Sequence, residues 1–556
     1  MDTTANPLRS STVLAVRSLQ DRSTRASVLR ELTELAALPA SIAAGQIRDL
    51  IVFENALYRL IRADKRWYFS NLAQAEAIEF ARDIQVLHSA AAKALDSLVA
   101  RRGEWSRSDD DSLLQRIIGF CLYHQGAAIK WCFMRHEPLR PTAWPAAHAL
   151  YRFAEQVGLA TYPMRLFDEE GERRTTLQAL YLRPLLVDVF NTGSLSTAQI
   201  EIVDAWLADW TTDYALDTDY SPDRHALFVD LDAPSGMRLA AGVAYGSLHR
   251  YLRIDSLKQQ IDAVRNAMRS GRSFHGRGVP TEFPVEAQVG LLDIIERVQH
   301  TLFQANASTL APRTPIGDLR AEVRLGISAV HAVISGDDAP VQVDDAPKIA
   351  VAPPVQFGGI ELTLTPSQST GNDEQAPTRG NHSGPRWQVH DMSSQGFGLT
   401  ASRAESLDIV IGTLIAIKPD GFANWLVGLV VRKIAQRPAP EETLLGVELL
   451  SVRPLPVLLT RYAHAIDAEP DPTLAPVAAI YLSGRDSDGD CNSGGDVLLL
   501  PAGDFGLKTT FSLATRAARF RVRINRVVRK GRDWVGLRFE VIARKDWPAA
   551  DSRSHR

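Results

Sequence analysis

The chain has 556 residues, 45% hydrophobic and 23% charged, which excludes wholesale disorder and a fibrous repeat and leaves room for about three to four domains. Sixty-two Lys and Arg against 65 Asp and Glu give a formal charge of −3, which excludes a protein that coats nucleic acid through bulk charge. Three cysteines are too few for a disulfide framework. No run approaches the ~18 apolar residues of a membrane helix, and MDTTANPLRSS carries no apolar signal core, so a cytoplasmic location is expected.

From about residue 22 to 305 the pattern predicts one helix after another. Leu29, Leu32, Leu35 and Ala36 recur at helical spacing behind Ser23 as N-cap, and Leu50, Phe53, Leu57 and Leu60 repeat the pattern. With little β-branched alternation, residues 1–306 read as an all-helical domain. Cys121-x-x-His124 and Cys132-x-x-x-His136 have a superficial zinc spacing. On one helix, however, the two thiols stand about 16 Å apart, so a buried core helix is the expected role.

The texture changes after Ala307. RAEVRLGISAVHAVI (320–334) is followed by a tract, 336–386, with seven prolines and paired aspartates, expected to be an exposed insertion or linker in which only pieces such as IELTLT could pair as strand. From Trp387 onward short Val/Ile/Leu-rich runs separated by turn residues predict β-structure: WQVHDMSS, FGLTAS, GTLIAIKP, NWLVGLVVRKI and LLGVELL. The pattern returns after Ala479 with DVLLLPAG, FGLKTTFSL, ARFRVRINRVVRK and DWVGLRFEVI. FGL occurs at 397–399 and 505–507. VVRK occurs at 430–433 and 527–530, each followed by a Gly-apolar strand at Gly446 and Gly536. Chance sharing of short strings and two related barrels in tandem both account for these echoes. The fold class expected is α+β multidomain: helical 1–306, a first small antiparallel barrel at 307–462, and a second, degenerate one at 470–556.

Within the first β region, Asp391-Met-Ser393-Ser-Gln-Gly396 lies between two strands. Aspartate accepts hydrogen bonds and serine both donates and accepts, a pair suited to a purine edge, while glycine lets a ligand approach the backbone. An ordinary polar hairpin turn uses the same residues. With the strand run that follows it, the hexamer resembles the PilZ domain family, whose signature D/N-x-S-x-x-G is preceded by R-x-x-x-R. The resemblance covers roughly residues 307–455. It implies a six-stranded barrel that binds cyclic di-GMP, with Asp391, Ser393 and Gly396 in the site. Arg320 and Arg324 match the arginine pair literally, 67 residues before Asp391. If VRLGISAVHAVI (323–334) is instead the first strand, the arm lies nearer TLAPR, where Arg313 alone matches. Each guanidinium would clamp a phosphate through two hydrogen bonds.

Aligned on FGL, the second β region places Leu499, Pro501 and Asp504 at the positions of Asp391, Ser393 and Gly396, so no ligand site is expected there. It carries a basic run instead, with Arg519, Arg521 and Arg523 on one strand face. A solvated face and a phosphate-rich partner both fit, but interleaved aromatics of the kind a single-strand binder uses are absent, so no nucleic-acid partner is expected. Asp486-Ser-Asp488-Gly-Asp490 reads as a polar loop, since Cys491 and Val497 stand where a calcium loop needs Gly and Glu. No catalytic motif, metal site or cofactor is expected. The expected function is a non-enzymatic, cyclic di-GMP-responsive regulator that signals to a protein partner through its helical domain. The alternative is a structural adaptor with degenerate barrels and no nucleotide.

Overall fold

The computed structural model describes residues 18–36, 44–70, 75–102, 111–171, 173–191, 193–240, 246–270, 295–296, 298–299, 314–316, 319–336, 355–357, 360–362, 384–393, 395–406, 408–435, 442–462, 475–483, 496–503, 509–514 and 518–546. The chain divides into two compact units, Met1–Ser308 and Thr309–Arg556.

The first unit is built on helices α1 (Arg22–Ala36), α2 (Ala44–Ser70), α3 (Ala75–Ala100), α4 (Asp111–Met134), α5 (Ala143–Gln156), α6 (Leu177–Phe190), α7 (Thr197–Trp210) and α8 (Asp255–Arg269). The apolar stripe of α2 is buried at Leu50, Phe53, Leu57, Leu60 and Ile61, as its spacing requires. The run around the cysteines is the central helix: Ile117, Ile118, Phe120, Cys121, His124, Trp131 and Cys132 of α4 are all buried. Each such fully buried large apolar side chain contributes roughly 1.5–3 kcal/mol relative to exposure. Capping differs from expectation at α1, where Asp21 rather than Ser23 does the work. Its carboxylate accepts from the Ser23 backbone N–H (3.0 Å) and the Ser23 and Thr24 hydroxyls. α7 carries a complete capping box between Ser196 and Gln199.

The helical region also contains a small antiparallel sheet in the order β1 (Leu216–Asp217), β4 (His249–Arg253), β2 (His225–Asp230), β3 (Arg238–Leu239). Sequence periodicity missed it because two of its strands are only two residues long.

The second unit holds two closed six-stranded antiparallel barrels. The first contains β6 (Arg320–Leu325), β9 (Arg386–Ser393), β10 (Gly396–Ser402), β11 (Leu414–Pro419), β12 (Leu426–Ala435) and β13 (Glu442–Ser451). A two-residue strand, β5 (Thr314–Pro315), is added against β9. Helix α9 (Ile327–Gly336) follows β6, a short hairpin β7 (Val355–Phe357) and β8 (Ile360–Leu362) precedes β9, and a turn of helix, α10 (Arg403–Ser406), follows β10. Apart from that hairpin and its ends, the 336–386 tract expected as a linker lies outside the described residues, as does the polar loop at 486–492. The second barrel contains β14 (Leu455–Arg461), β15 (Val477–Leu482), β16 (Val497–Pro501), β17 (Thr510–Ala514), β18 (Ala518–Lys530) and β19 (Trp534–Asp546). Strand β14, which the sequence reading assigned to the first barrel, is therefore the first strand of the second.

Numbered within each barrel, the strands close in the same ring order, 1-2-3-6-5-4. The VVRK echo is a true structural equivalence. Arg432 pairs with Gly446 and Arg529 with Gly536, and a bulge skips Val431 in one strand and Val528 in the other. Inward residues such as Val323, Val389, Phe397, Ile415 and Val447 fill the first barrel, and Leu459, Leu498, Phe511, Val522 and Leu537 fill the second. A third apolar cluster lies between them. Ile327 and Val330 of α9 join Leu414, Ala416, Val427 and Leu429 of the first barrel to Ile480, Leu482, Leu499 and Trp534 of the second. Polar contacts fix this join: the Asp533 carboxylate accepts the first N–H of α9 (Ile327, 2.8 Å), and the Trp534 indole donates to the Gly412 carbonyl at 2.9 Å.

Candidate functional site

Asp391 and Ser393 stand near the end of β9, and Gly396 opens β10. Register sets them out in rows across the outer face of the barrel. Asp391 pairs with Gly398, Gly398 with Gly446, and Gly446 with Arg432. In the next row Ser393 pairs with Gly396 and Gly396 with Glu448. A bulge at His390 breaks the ladder between the Asp391–Gly398 and Val389–Leu399 pairs and turns the His390 ring out beside Asp391, Nδ1 3.5 Å from Oδ2. Gly396 is required by packing, since a Cβ there would sit 2.0 Å from the Val447 carbonyl oxygen. At Gly398 a Cβ would meet the Asp391 carboxylate at 2.8 Å, and at Gly446 it would meet the Arg432 Cβ at 2.9 Å. The Asp391 carboxylate and the Arg432 stem therefore lie flat on bare backbone. The Ser393 hydroxyl accepts the Gln395 N–H at 3.3 Å, a polar hairpin turn.

The three candidate arginines are not gathered equally. Arg320 pairs with Gln388 and is exposed, three residues and so about 10 Å along β9 from Asp391. Arg324 is farther still, because β6 runs antiparallel to β9 and carries it away. Its guanidinium binds Glu322 at 2.7 Å and the Val323 carbonyl at 3.0 Å, and lies 5.7 Å from the Trp425 ring. The literal R-x-x-x-R pair is therefore not presented to Asp391. Strand β5 does come to it: Thr314 pairs with Met392 and Pro315 with Asp391. Arg313, which precedes Thr314 in sequence, lies outside the described residues. Sequence reading missed β5 because a two-residue strand has no periodicity. Its signal was the proline, tolerated on an added edge strand.

The corresponding positions of the second barrel follow from register. Ile480, Leu482 and Val497 occupy the places of Asp391, Ser393 and Gly396. The FGL-based assignment to Leu499, Pro501 and Asp504 is thereby corrected. Its Phe505–Leu507 echo lies outside the described residues, so only the VVRK echo carries the alignment.

In the helical unit several buried charged groups pair with one another. Lys130 binds Glu201 (2.9 Å) and Asp204 (2.6 Å), Arg183 clamps Asp204 with two bonds of 2.6 Å, and Lys65 also reaches Glu201. Burial opposes the charge on Lys130, but Asp204 and Glu201 outweigh it and hold the ammonium above its ordinary pKa. His124 bridges Glu54 (2.7 Å) and His88 (2.8 Å), and burial pushes His88 well below the usual histidine range. The Cys121 thiol donates to the Ala92 carbonyl. Among the described residues no group of three His, Cys, Asp or Glu could hold a metal ion, and no helix is long and apolar enough to cross a membrane.

Against known families, residues 15–221 match the model described as "Cyclic-di-GMP receptor FimW, N-terminal domain". The match falls on the helical unit, and no PilZ family match was found on either barrel, which overturns the resemblance read at 307–455. The structure gives the physical reason: the Asp391–Gly396 pattern has an ordinary account as a tight hairpin whose glycine is imposed by the Val447 carbonyl. No curated protein and no solved structure matches the chain. The chain thus carries, in its first unit, a region similar to the N-terminal domain of a cyclic-di-GMP receptor.

Proposed function

We propose that the chain is a cyclic di-GMP receptor whose first barrel binds the dinucleotide and whose helical unit passes the signal to a protein partner. The observation that carries this reading is the match of residues 15–221 to the N-terminal domain of such a receptor. Two features favour the barrel over the helical unit as the binding place. Asp391 and Ser393 line an outer face that has a glycine floor. Strand β5, which follows Arg313 in sequence, also pairs with β9 at Met392 and Asp391.

In this reading Asp391 and Ser393 hold a guanine edge. Gly396 admits the ligand to the backbone, and Arg313 clamps phosphate, with Arg320 the next arginine along β9. Ligand contact with β5 would bias the segment before it, which is how binding would shift an equilibrium of domain arrangements: by differential affinity for the two states. Calorimetric titration of the intact chain with cyclic di-GMP tests this. Asp391→Ala and Ser393→Ala each remove a hydrogen-bond partner and should weaken binding by about 1–3 kcal/mol, roughly five- to a hundred-fold. Unchanged affinity in both variants would move the site off the barrel. No heat at millimolar ligand would leave an adaptor without a nucleotide.

A further inference from the structure

The two structurally equivalent arginines of the VVRK echo differ in one respect. Arg529, opposite Gly536, meets the Glu448 carboxylate with two parallel bonds of 3.1 Å. Arg432, opposite Gly446, is exposed and makes no hydrogen bond or ion pair among the described residues. One guanidinium of the pair thus holds a bidentate oxyanion supplied by the protein, and its counterpart has none among the described residues.

Arg432 is also aimed. Its Cβ, Cγ and Cδ lie 2.9, 3.8 and 3.7 Å from where a Gly446 side chain would begin, so the stem lies across Gly446 in the row shared with Gly398 and Asp391. In the register of the described strands, Gly398 and Gly446 stand between Asp391 and Arg432. Neither Gly398 nor Gly446 has the positive φ that would explain it by conformation. Glycine inside a strand weakens it, and here both positions keep the face between an acceptor and a free guanidinium clear.

We propose that Arg432 is a phosphate-binding residue of this face, taking through its planar fork a phosphodiester of the ligand whose base Asp391 and Ser393 hold. The assignment rests on the reading of the first barrel as the cyclic di-GMP site. It supplies from β12 the guanidinium that Arg324, engaged by Glu322, does not. Charge-assisted bidentate contacts are among the strong ones, and an ammonium has no equivalent geometry.

The test is titration of the intact chain with cyclic di-GMP, and separately with inorganic phosphate, in wild type, Arg432→Ala, Arg432→Lys and Asp391→Ala, with Arg461→Ala on the second barrel as control. Arg432→Ala should weaken dinucleotide binding at least tenfold, Arg432→Lys should restore little of it, and Arg461→Ala should leave it unchanged. Arg432→Lys keeps the charge and the stem, so it also separates lost recognition from lost folding. Wild-type affinity in Arg432→Ala, with Asp391→Ala still weakened, would overturn the Arg432 assignment alone. A wild-type chain that binds no dinucleotide, or an Asp391→Ala variant that binds as wild type, would overturn the underlying site and Arg432 with it. Equal saturation by inorganic phosphate alone would assign Arg432 to free phosphate and overturn the dinucleotide contact.

Discussion

The two barrels share ring order, bulge position and the arginine–glycine pair across strands five and six, yet they use the outer face of strands two and three in opposite ways. In the first barrel that face carries Asp391, Ser393 and glycines. In the second, the matching Ile480, Leu482 and Leu499 are buried, packed with α9 and with Leu414, Ala416, Val427 and Leu429 of the first barrel. One scaffold thus supplies two faces. The apolar one is consumed in joining the barrels, and the polar one stays out of that join. Loss of the Asp/Ser/Gly pattern in the second barrel is therefore a gain of packing surface as well as a loss of polar groups.

Exchanging the character of the two faces should give the largest effects. Ile480→Asp places a carboxylate in the apolar cluster, and should destabilise the second unit by roughly 3–5 kcal/mol. The reciprocal Asp391→Leu, on the half-buried outer face of the first barrel, should change stability by no more than about 1 kcal/mol. Hydrogen exchange of the β15 and β16 amides reads this out on the intact chain, since protection there follows the local opening energy. Comparable losses in the two variants would show that both faces are packing surfaces, and the contrast between the barrels would be lost.

Gly396 sharpens the same comparison by a smaller amount. Its counterpart Val497 carries a side chain without difficulty, whereas a Cβ at 396 would stand 2.0 Å from the Val447 carbonyl and force β10 and β13 apart. Gly396→Ala should cost about 1–3 kcal/mol, read as faster exchange of the β10 amides. A neutral result would mean that the hairpin relaxes freely and that glycine is kept there for a ligand alone.

How much of this was legible follows from what each signal depends on. The helices and most barrel strands showed because long apolar periodicities survive without context, as at Leu50–Leu60 and across NWLVGLVVRKI. The doubling of the barrel showed through VVRK because a bulge followed by an arginine–glycine pair constrains four residues at once. FGL misled because it constrains only an apolar pattern, and it set the second-barrel equivalents wrong. Strands β1, β3 and β5 were invisible at two residues each. The boundary at 462 failed because β14 begins four residues after β13 ends, with only Val452, Arg453 and Pro454 between, so no composition change marks the crossing. Of the candidate site, the polar and glycine residues on β9 and β10 stood out by type and spacing, which an ordinary hairpin turn shares. The fate of the arginines was not legible, because whether a guanidinium is neutralised depends on side-chain geometry: Arg324 folds back on Glu322 of its own strand, and Arg529 meets Glu448 of the other barrel.

That last pair gives the smallest effect and the most direct check on how the barrels are joined. Arg529 and Glu448 bridge the barrels with both partners about one-third exposed, 33% and 27%. Solvent screening at such exposure leaves an ion pair about 0.2–1 kcal/mol, so a double-mutant cycle of Arg529→Ala and Glu448→Ala should show coupling in that range, falling as salt is raised. The join would then depend on the apolar cluster around Ile480, Leu482 and Trp534, with the ion pair fixing register at little energetic gain. A coupling above about 2 kcal/mol that resists salt would mean the pair is desolvated in solution. Arg529 would then be a principal tie between the barrels, and the contrast with solvent-exposed Arg432 would be one of burial as well as of partner.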